Sequence, residues 1–432
     1  MHFRRGTTGF TRFQSRTRIK IEMKRFIVCL FFQWFSSLAG QTAVLEKTIL
    51  FGNVLTRDGV VLRELRLKKG QASTAEQLAV EKAWFLRLNY FKRVELETRP
   101  VPESGRRALI LVVQEKSPWS FDPILSQNEP FGWILGGTLG YNNLFGRHEK
   151  AALLLQTGAV NCFSFSLQEP WFLGAVRMFS GLEAYHKQFR YVYDDHAVHF
   201  FEKDQGVRLT IGKSWGRVLQ TGMTAGVETV NVSDPSANAS NKKREQYNSL
   251  EPFIQFDSRD WPTYPFTGMF CRIWKTWNAT PSHDRFSRVG LDSRIFITVL
   301  GRHVLAFQAA AAISEGPVPV VKRLHIGGSN TLRGLDDWSV SGENSLMTTL
   351  EYRLPILFEK NNNTGFRFGY AAVVFADMGA GWYQREVLNR DRLLGSVGFG
   401  FHAILDRLVV RLEWGTRGKG LGFITTGTGV KF

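Results

Sequence analysis

Cysteine is nearly missing, and with it any disulfide framework. Of three cysteines in 432 residues, Cys29 falls in an N-terminal leader. Cys162 and Cys271 stand alone in separate strand-like stretches, where a cross-lumen pair would be a coincidence. The signatures of common catalytic centres are absent too: there is no Gly-x-Ser-x-Gly elbow, no His-Glu-x-x-His and no P-loop. His196 and His199 lie three apart with no second ligand pair nearby, which suits a loop or strand surface better than a metal. Gly395, Gly398 and Gly400 look superficially like a dinucleotide fingerprint, but Phe399 and Phe401 alternate with them as on a crowded strand. Scattered Ser, His and Asp leave a lipase or protease as the formal enzyme alternative. The chain reads as a non-enzyme, and no cofactor and no metal is implied.

Acidic residues are outnumbered, 38 against 55 Lys and Arg, for a net charge of +17. Such an excess ordinarily suggests a nucleic-acid partner. Here Arg4, Arg5, Arg12, Arg16, Arg18, Lys20, Lys24 and Arg25 face Glu22 alone, so seven of the seventeen charges precede residue 26. The remainder are scattered among strands rather than gathered on one helix, which argues against nucleic acid. Residues 1–40 read as a leader and secretory signal peptide. Met23-Lys24-Arg25 opens a positive region, Phe26 to Phe35 is apolar except for Gln33, and Ser36-Ser37-Leu38-Ala39-Gly40 supplies small residues for cleavage. The apolar run is far short of the ~20 residues a spanning helix needs. Met23 reads as the true start, with a long native leader as the alternative.

What is abundant is aromatic and glycine: 13% Phe, Trp and Tyr, with 35 Phe, 12 Trp and 41 Gly, at a mean hydropathy of only −0.15. Alternating barrel strands have this profile, because lipid-facing positions are apolar and lumen-facing ones polar. From residue 117 onward no stretch has convincing helical periodicity, while alternation recurs, as in Phe163-Ser164-Phe165-Ser166-Leu167-Gln168. Candidate strands lie near 119–126, 131–139, 149–158, 161–168, 174–188, 204–212, 217–230, 246–257, 267–278, 286–298 and 302–313. After a long loop, about 314–344, come 345–354, 366–377, 393–403, 407–414 and 421–432. The expected fold is therefore mainly β: a sixteen-stranded antiparallel transmembrane barrel over 117–432, large enough for an aqueous lumen. A soluble β-sandwich is the alternative. Residues 44–116 read separately as a small α+β domain of order β-α-α-β-β. In it Val61, Leu62 and Leu65 face inward from a helix over 60–67. Ser73 and Glu76 form a capping box for a second helix, whose inward stripe is Leu78, Ala79, Leu86 and Tyr90.

The long loop contains Gly327-Gly328-Ser329-Asn330-Thr331-Leu332-Arg333-Gly334-Leu335. A glycine pair followed by an arginine beside another glycine reads as backbone packed around one buried cation. Such a cation needs carboxylates, and two later strands supply them in phase. Glu351 shares a face with Thr349 and Arg353, opposite Leu350, Tyr352 and Leu354. Asp377 shares one with Arg367 and Gly369, opposite Phe368 and Tyr370. The expected loop anchor is Arg333, Gly334, Glu351 and Asp377, inside the lumen. An ordinary surface hairpin with a solvated arginine is the alternative.

This stretch resembles the inward-folded loop and signature arginine of the BamA/TamA-type outer-membrane assembly and translocation barrels, with Leu332 and Leu335 around the Arg-Gly pair. Tyr141-Asn142-Asn143-Leu144-Phe145-Gly146, Glu169-Pro170-Trp171-Phe172 and Phe256-Asp257-Ser258-Arg259-Asp260 resemble that family as well. Residues 44–116 resemble one POTRA domain, through Gly52-Asn53, Tyr90-Phe91-Lys92-Arg93-Val94 and Val113-Gln114-Glu115. Gly427, Val430 and Phe432 match the terminal aromatic signal of such barrels. The resemblance implies an outer-membrane protein with its POTRA domain in the periplasm. Its partners would be unfolded outer-membrane or exported polypeptides, outer-membrane lipid and a periplasmic accessory protein. Clients would be captured by strand addition and released at the barrel seam. A two-partner-type secretion transporter and a passive channel remain the alternatives.

Overall fold

The computed structural model describes residues 43–102, 104–128, 132–193, 198–281, 285–335, 340–360, 367–406, 408–416 and 423–428. Residues 1–40, where a leader and signal peptide starting at Met23 are expected, lie outside the described residues, as do Val430 and Phe432. Among the described residues no helix is long and apolar enough to cross a membrane.

The N-terminal region runs β1 (Ala43–Phe51), α1 (Asp58–Glu64), β2 (Ala72–Ser73), α2 (Ala75–Arg87), β3 (Phe91–Pro100) and β4 (Arg107–Glu115). Its four strands form one sheet of order β2-β1-β4-β3, with β1 parallel to β4 and antiparallel to β2. Leu45, Leu109 and Leu111 are buried in it. The two-residue β2 is an addition to the expected order. The capping box also shifts by one: the Gln77 amide donates to Thr74 Oγ1 at 3.2 Å and the Thr74 amide to Gln77 Oε1 at 3.0 Å. Because α2 starts at Ala75, its N-cap is Thr74, not Ser73. That phase buries Glu81 and Phe85 while Ala79 is exposed.

The barrel strands are β5 (Trp119–Asn128), β6 (Gly132–Leu144), β7 (Glu149–Gly158), β8 (Val160–Glu169), β9 (Met178–Tyr193), β10 (Val198–Trp215), β11 (Leu219–Val232) and β12 (Arg244–Asp257). They continue as β13 (Gly268–Ala279), β14 (Arg285–Val299) and β15 (His303–Glu315); a long connection then carries a short hairpin, β16 (Leu324–Ile326) with β17 (Val340–Gly342). The wall resumes with β18 (Asn344–Lys360), β19 (Arg367–Trp382), β20 (Leu394–Leu405), β21 (Leu408–Thr416) and β22 (Phe423–Thr428). Sixteen strands form a single sheet in sequence order, β15 pairing directly with β18, and the terminal strands β5 and β22 lie against each other. Several strands differ in extent from the pattern reading: β6, β18 and β19 run past 139, 354 and 377 to Leu144, Lys360 and Trp382. A turn and a 3₁₀ segment (Gly174–Val176) delay β9 to Met178, and β10 is much longer than 204–212, reaching back past His199.

The period of two that defines a strand separates the faces. On β20, Val397, Phe399 and Phe401 are exposed on the outer face, while Ser396 and His402 are buried on the inner one. Gly398 sits between them because a Cβ there would lie 2.1 Å from the Trp414 carbonyl oxygen and 2.3 Å from the Phe375 ring. Close strand packing, not a nucleotide loop, accounts for Gly398 and for Gly400, where a Cβ would lie 2.5 Å from the Leu412 carbonyl oxygen; Gly395 has room for one. Cys162 and Cys271, on β8 and β13, are both free thiols.

Candidate functional site: a buried arginine lock in the lumen

The connection between β15 and β18 folds inward, and its tip is built from local bonds. Thr331 Oγ1 donates to the Gly327 carbonyl at 2.6 Å and accepts from the Gly327 amide at 2.8 Å, while the Gly328 amide donates to the Leu335 carbonyl at 3.0 Å. Ile326, Leu332 and Leu335 form a small apolar core with Val340 and Leu394. Gly334 has φ +80°, and a Cβ on it would lie 2.6 Å from the backbone carbon of Gly415 on β21. The tip can approach the wall this closely only because both residues lack side chains.

That approach places Arg333, which is fully buried, among three carboxylates from three different strands. Its Nε and Nη2 donate to Asp377 Oδ2 and Oδ1 at 2.9 and 3.0 Å, a two-pronged pair, and its backbone amide adds a third bond to Asp377 Oδ2 at 3.1 Å. Nη1 donates to Glu351 Oε2 and to Glu413 Oε1, both at 2.6 Å. The guanidinium lies 3.5 Å over the Phe375 ring. Burial opposes the arginine's charge, but Glu351, Asp377 and Glu413 outweigh it and hold its pKa above the ordinary value. Desolvation of this kind is tolerable only with such complete pairing.

Arg353 and Arg411, also buried, complete the set. Arg353 Nε donates to Glu351 Oε1 at 2.7 Å, and Arg411 Nη1 to Glu413 Oε2 at 3.3 Å. Arg411 also reaches the loop itself, at the Ser329 carbonyl (3.1 Å) and Asn330 Oδ1 (2.8 Å). Glu351, His402 and Glu413 are near enough together to suggest a metal centre. The donor set argues otherwise, since all four carboxylate oxygens already accept from Arg333, Arg353 or Arg411. A cation entering there would have to displace a guanidinium.

Of the residues singled out by sequence, Arg333, Gly334, Glu351 and Asp377 come together here. Gly427 lies in β22, directly opposite Arg411 of β21 in the strand pairing. Glu413, Arg411 and Gly415 were not foreseen. Their signal was present: Val410 and Leu412 are exposed on the outer face of β21, so Arg411 and Glu413 alternate inward as Glu351 and Arg353 do on β18.

The same loop has a second hold further back. Val320 and Val321 pack with Phe189, Phe200, Val230, Val232 and Tyr247. Lys322 pairs with Glu228 on β11, and its carbonyl accepts from Arg288 Nη2 at 2.7 Å. Beside this hold the lumen keeps a polar cavity of about 630 Å³, lined by Glu183, Arg208, Glu251, Arg272 and Arg288 among others.

Residues 143–406 match the Omp85 superfamily domain. The chain is 24% identical over 383 residues to the outer membrane protein assembly factor BamA of Nitratidesulfovibrio vulgaris, covering 83% of this chain and 46% of that protein. It therefore spans less than half of that relative's length. It is 28% identical over 126 residues to the chloroplastic outer envelope protein 80 of Oryza sativa subsp. japonica, covering 28% of this chain and 19% of that one. Among solved structures, BamA of Haemophilus ducreyi lacking POTRA domains 1–3 superposes with a TM-score of 0.60 at 15% identity, over 91% of this chain and 85% of that one. CdiB of Escherichia coli superposes with a TM-score of 0.62 at 13% identity, over 90% and 76%. The domain match alone takes in more than half of the chain and runs through the inward loop and most of the wall, and on that ground the chain belongs to the Omp85 superfamily.

Proposed function

We propose that this protein is an outer-membrane barrel that inserts polypeptides into that membrane, with clients leaving through the seam between β5 and β22. The observation that carries the reading is the Arg333 lock: a solute pore has no use for a long loop pinned across its lumen by buried charges. Superfamily membership and the BamA relative support the same class of activity. Residues 44–116 would be a periplasmic POTRA domain, receiving an unfolded client by strand addition at a sheet edge, where backbone groups give affinity without demanding a sequence. Gly427, Val430 and Phe432 would be the signal by which the barrel is itself recognised for insertion. The sequence of the closing strand supports the seam as the exit, because Gly420, Gly422, Gly427 and Gly429 supply few side chains for cross-strand packing. Weak packing lowers the cost of opening.

Cysteines introduced in β5 and β22 and oxidised to a disulfide test this. Client insertion in reconstituted vesicles should cease and return with reductant. Full activity with the seam locked would refute the lateral route. It would favour a second reading, export of a partner protein through the lumen, which the polar cavity beside the loop supports. Solute conductance without client capture would select a passive channel instead.

A further inference from the structure

The turn joining β12 to β13, residues 258–267, leaves the wall at the end opposite to the Arg333 loop, since three antiparallel strands separate the two connections. One carboxylate folds it: Asp260 Oδ1 accepts from the backbone amides of Trp261, Phe266 and Thr267 at 2.8, 3.0 and 3.2 Å. Folded in this way, it sends Trp261 and Tyr264 into the barrel, where they pack on Ala371, Ile404 and Val409, Tyr264 being fully buried.

Two chains of contact then run from this turn to the arginine. The Tyr264 hydroxyl lies 3.1 Å from His402 Nδ1, and His402 Nε2 lies 3.2 Å from Glu413 Oε1, the oxygen that also accepts from Arg333. Independently, the Pro265 carbonyl accepts from Arg353 Nη1 at 3.2 Å, the Arg353 guanidinium stacks 4.5 Å over the Tyr264 ring, and Arg353 holds the Glu351 oxygen that Arg333 does not use.

We infer that the 258–267 turn is a second locking element, in which Tyr264, through His402, and Pro265, through Arg353, position Glu413 and Glu351 for Arg333. The two inward segments, rooted at opposite ends of the barrel, are thereby held or released as one unit. The chemistry requires such help. A glutamate brought to a dry pocket must be oriented by a donor on each oxygen. A tyrosine hydroxyl donating to His402 Nδ1 leaves the proton on Nε2, aimed at Glu413. The inference concerns the resting barrel and stands whether or not clients use the seam.

Tryptic cleavage after Arg333 in the full-length protein in detergent micelles reads out release, because that residue is fully buried when the loop is docked. Tyr264→Phe keeps the ring over Arg353 and removes only the hydroxyl; it should raise the cleavage rate by about fivefold to tenfold, as loss of one buried hydrogen bond implies. His402→Gln should do the same, and the double variant should be no faster than the faster single one. Asp260→Ala, which removes the acceptor and touches no member of the arginine network, should loosen the turn and also speed cleavage after Arg333. Wild-type cleavage in Tyr264→Phe or Asp260→Ala would overturn the inference. So would effects of Tyr264→Phe and His402→Gln that simply multiply, as those of independent sites do.

Discussion

Replacing Arg333 by alanine is the most direct perturbation of the lock, and its size can be worked from the contacts. The side chain is fully buried and makes four charge-assisted hydrogen bonds to Asp377, Glu351 and Glu413. Removing one partner of a buried pair commonly costs about 3–5 kcal/mol, against about 0–1 kcal/mol for an exposed pair. Loss of the stacking on Phe375 adds up to about 2 kcal/mol. These contributions overlap, so about 4–6 kcal/mol is expected for docking of the loop. Arg333→Lys should fall between alanine and wild type, because an ammonium keeps the charge but cannot bridge both Asp377 oxygens. Heat-dependent mobility of the barrel in detergent electrophoresis gives the stability, and limited proteolysis of residues 316–343 gives loop docking. If Arg333→Ala matched wild type in both, the arginine would be no lock, and the burial argument would be wrong.

Gly334→Ala should release the loop even though no charge changes, since φ +80° and the 2.6 Å approach to Gly415 leave no room for a methyl. Strain alone is about 1–2 kcal/mol, and unchanged loop proteolysis would refute it. Acid should also loosen the loop. Burial, with Arg323 and Lys187 nearby, pushes the His325 pKa down to about 4. The undocked residue titrates near 6.5, so stability present above that value is lost as the pH falls from about 6.5 toward 4. Proteolysis across that range should rise in wild type and flatten in His325→Gln; an unaltered profile in the variant would sink the assignment.

Much of the wall was legible because a strand with one polar and one apolar face declares itself by alternation. The sixteen strands appear in the sequence order read from that period. Extents were less legible where the alternation breaks, as at the start of β10, where Phe200 and Phe201 are consecutive, and in β18, where the register shifts between Pro355 and Leu357. Phase also named Glu351 and Asp377 as inward carboxylates. It could have named Glu413 by the same logic, but nothing in a linear pattern says which of several inward acids lies beside a given loop arginine. Three-dimensional neighbours such as Gly334 and Gly415, 81 positions apart, leave no local trace. The helix cap moved from Ser73 to Thr74 for a similar reason, since both residues are competent caps and only the helix start decides between them.

The charges in the pocket suggest why the lock is ionic at all. Arg333, Arg353 and Arg411 stand against Glu351, Asp377 and Glu413, three positive and three negative, all buried. A balanced set of this kind contributes little more than well-packed apolar residues of the same volume, whereas an unbalanced one is strongly destabilising. Its use would then be in position and not in net strength: the pocket is stable only with the loop arginine in place. Withdrawal of Arg333 leaves two cations facing three anions, which draws in water and favours full undocking over partial movement. This predicts a non-additive pair. Arg333→Met combined with Asp377→Leu restores the balance, two against two, and should be markedly more stable than Arg333→Met alone, by about 2–3 kcal/mol of coupling. Barrel unfolding in detergent would measure it across the four members of the cycle. A double variant less stable than either single one would show that each contact acts on its own, and that charge balance has no part in holding the loop.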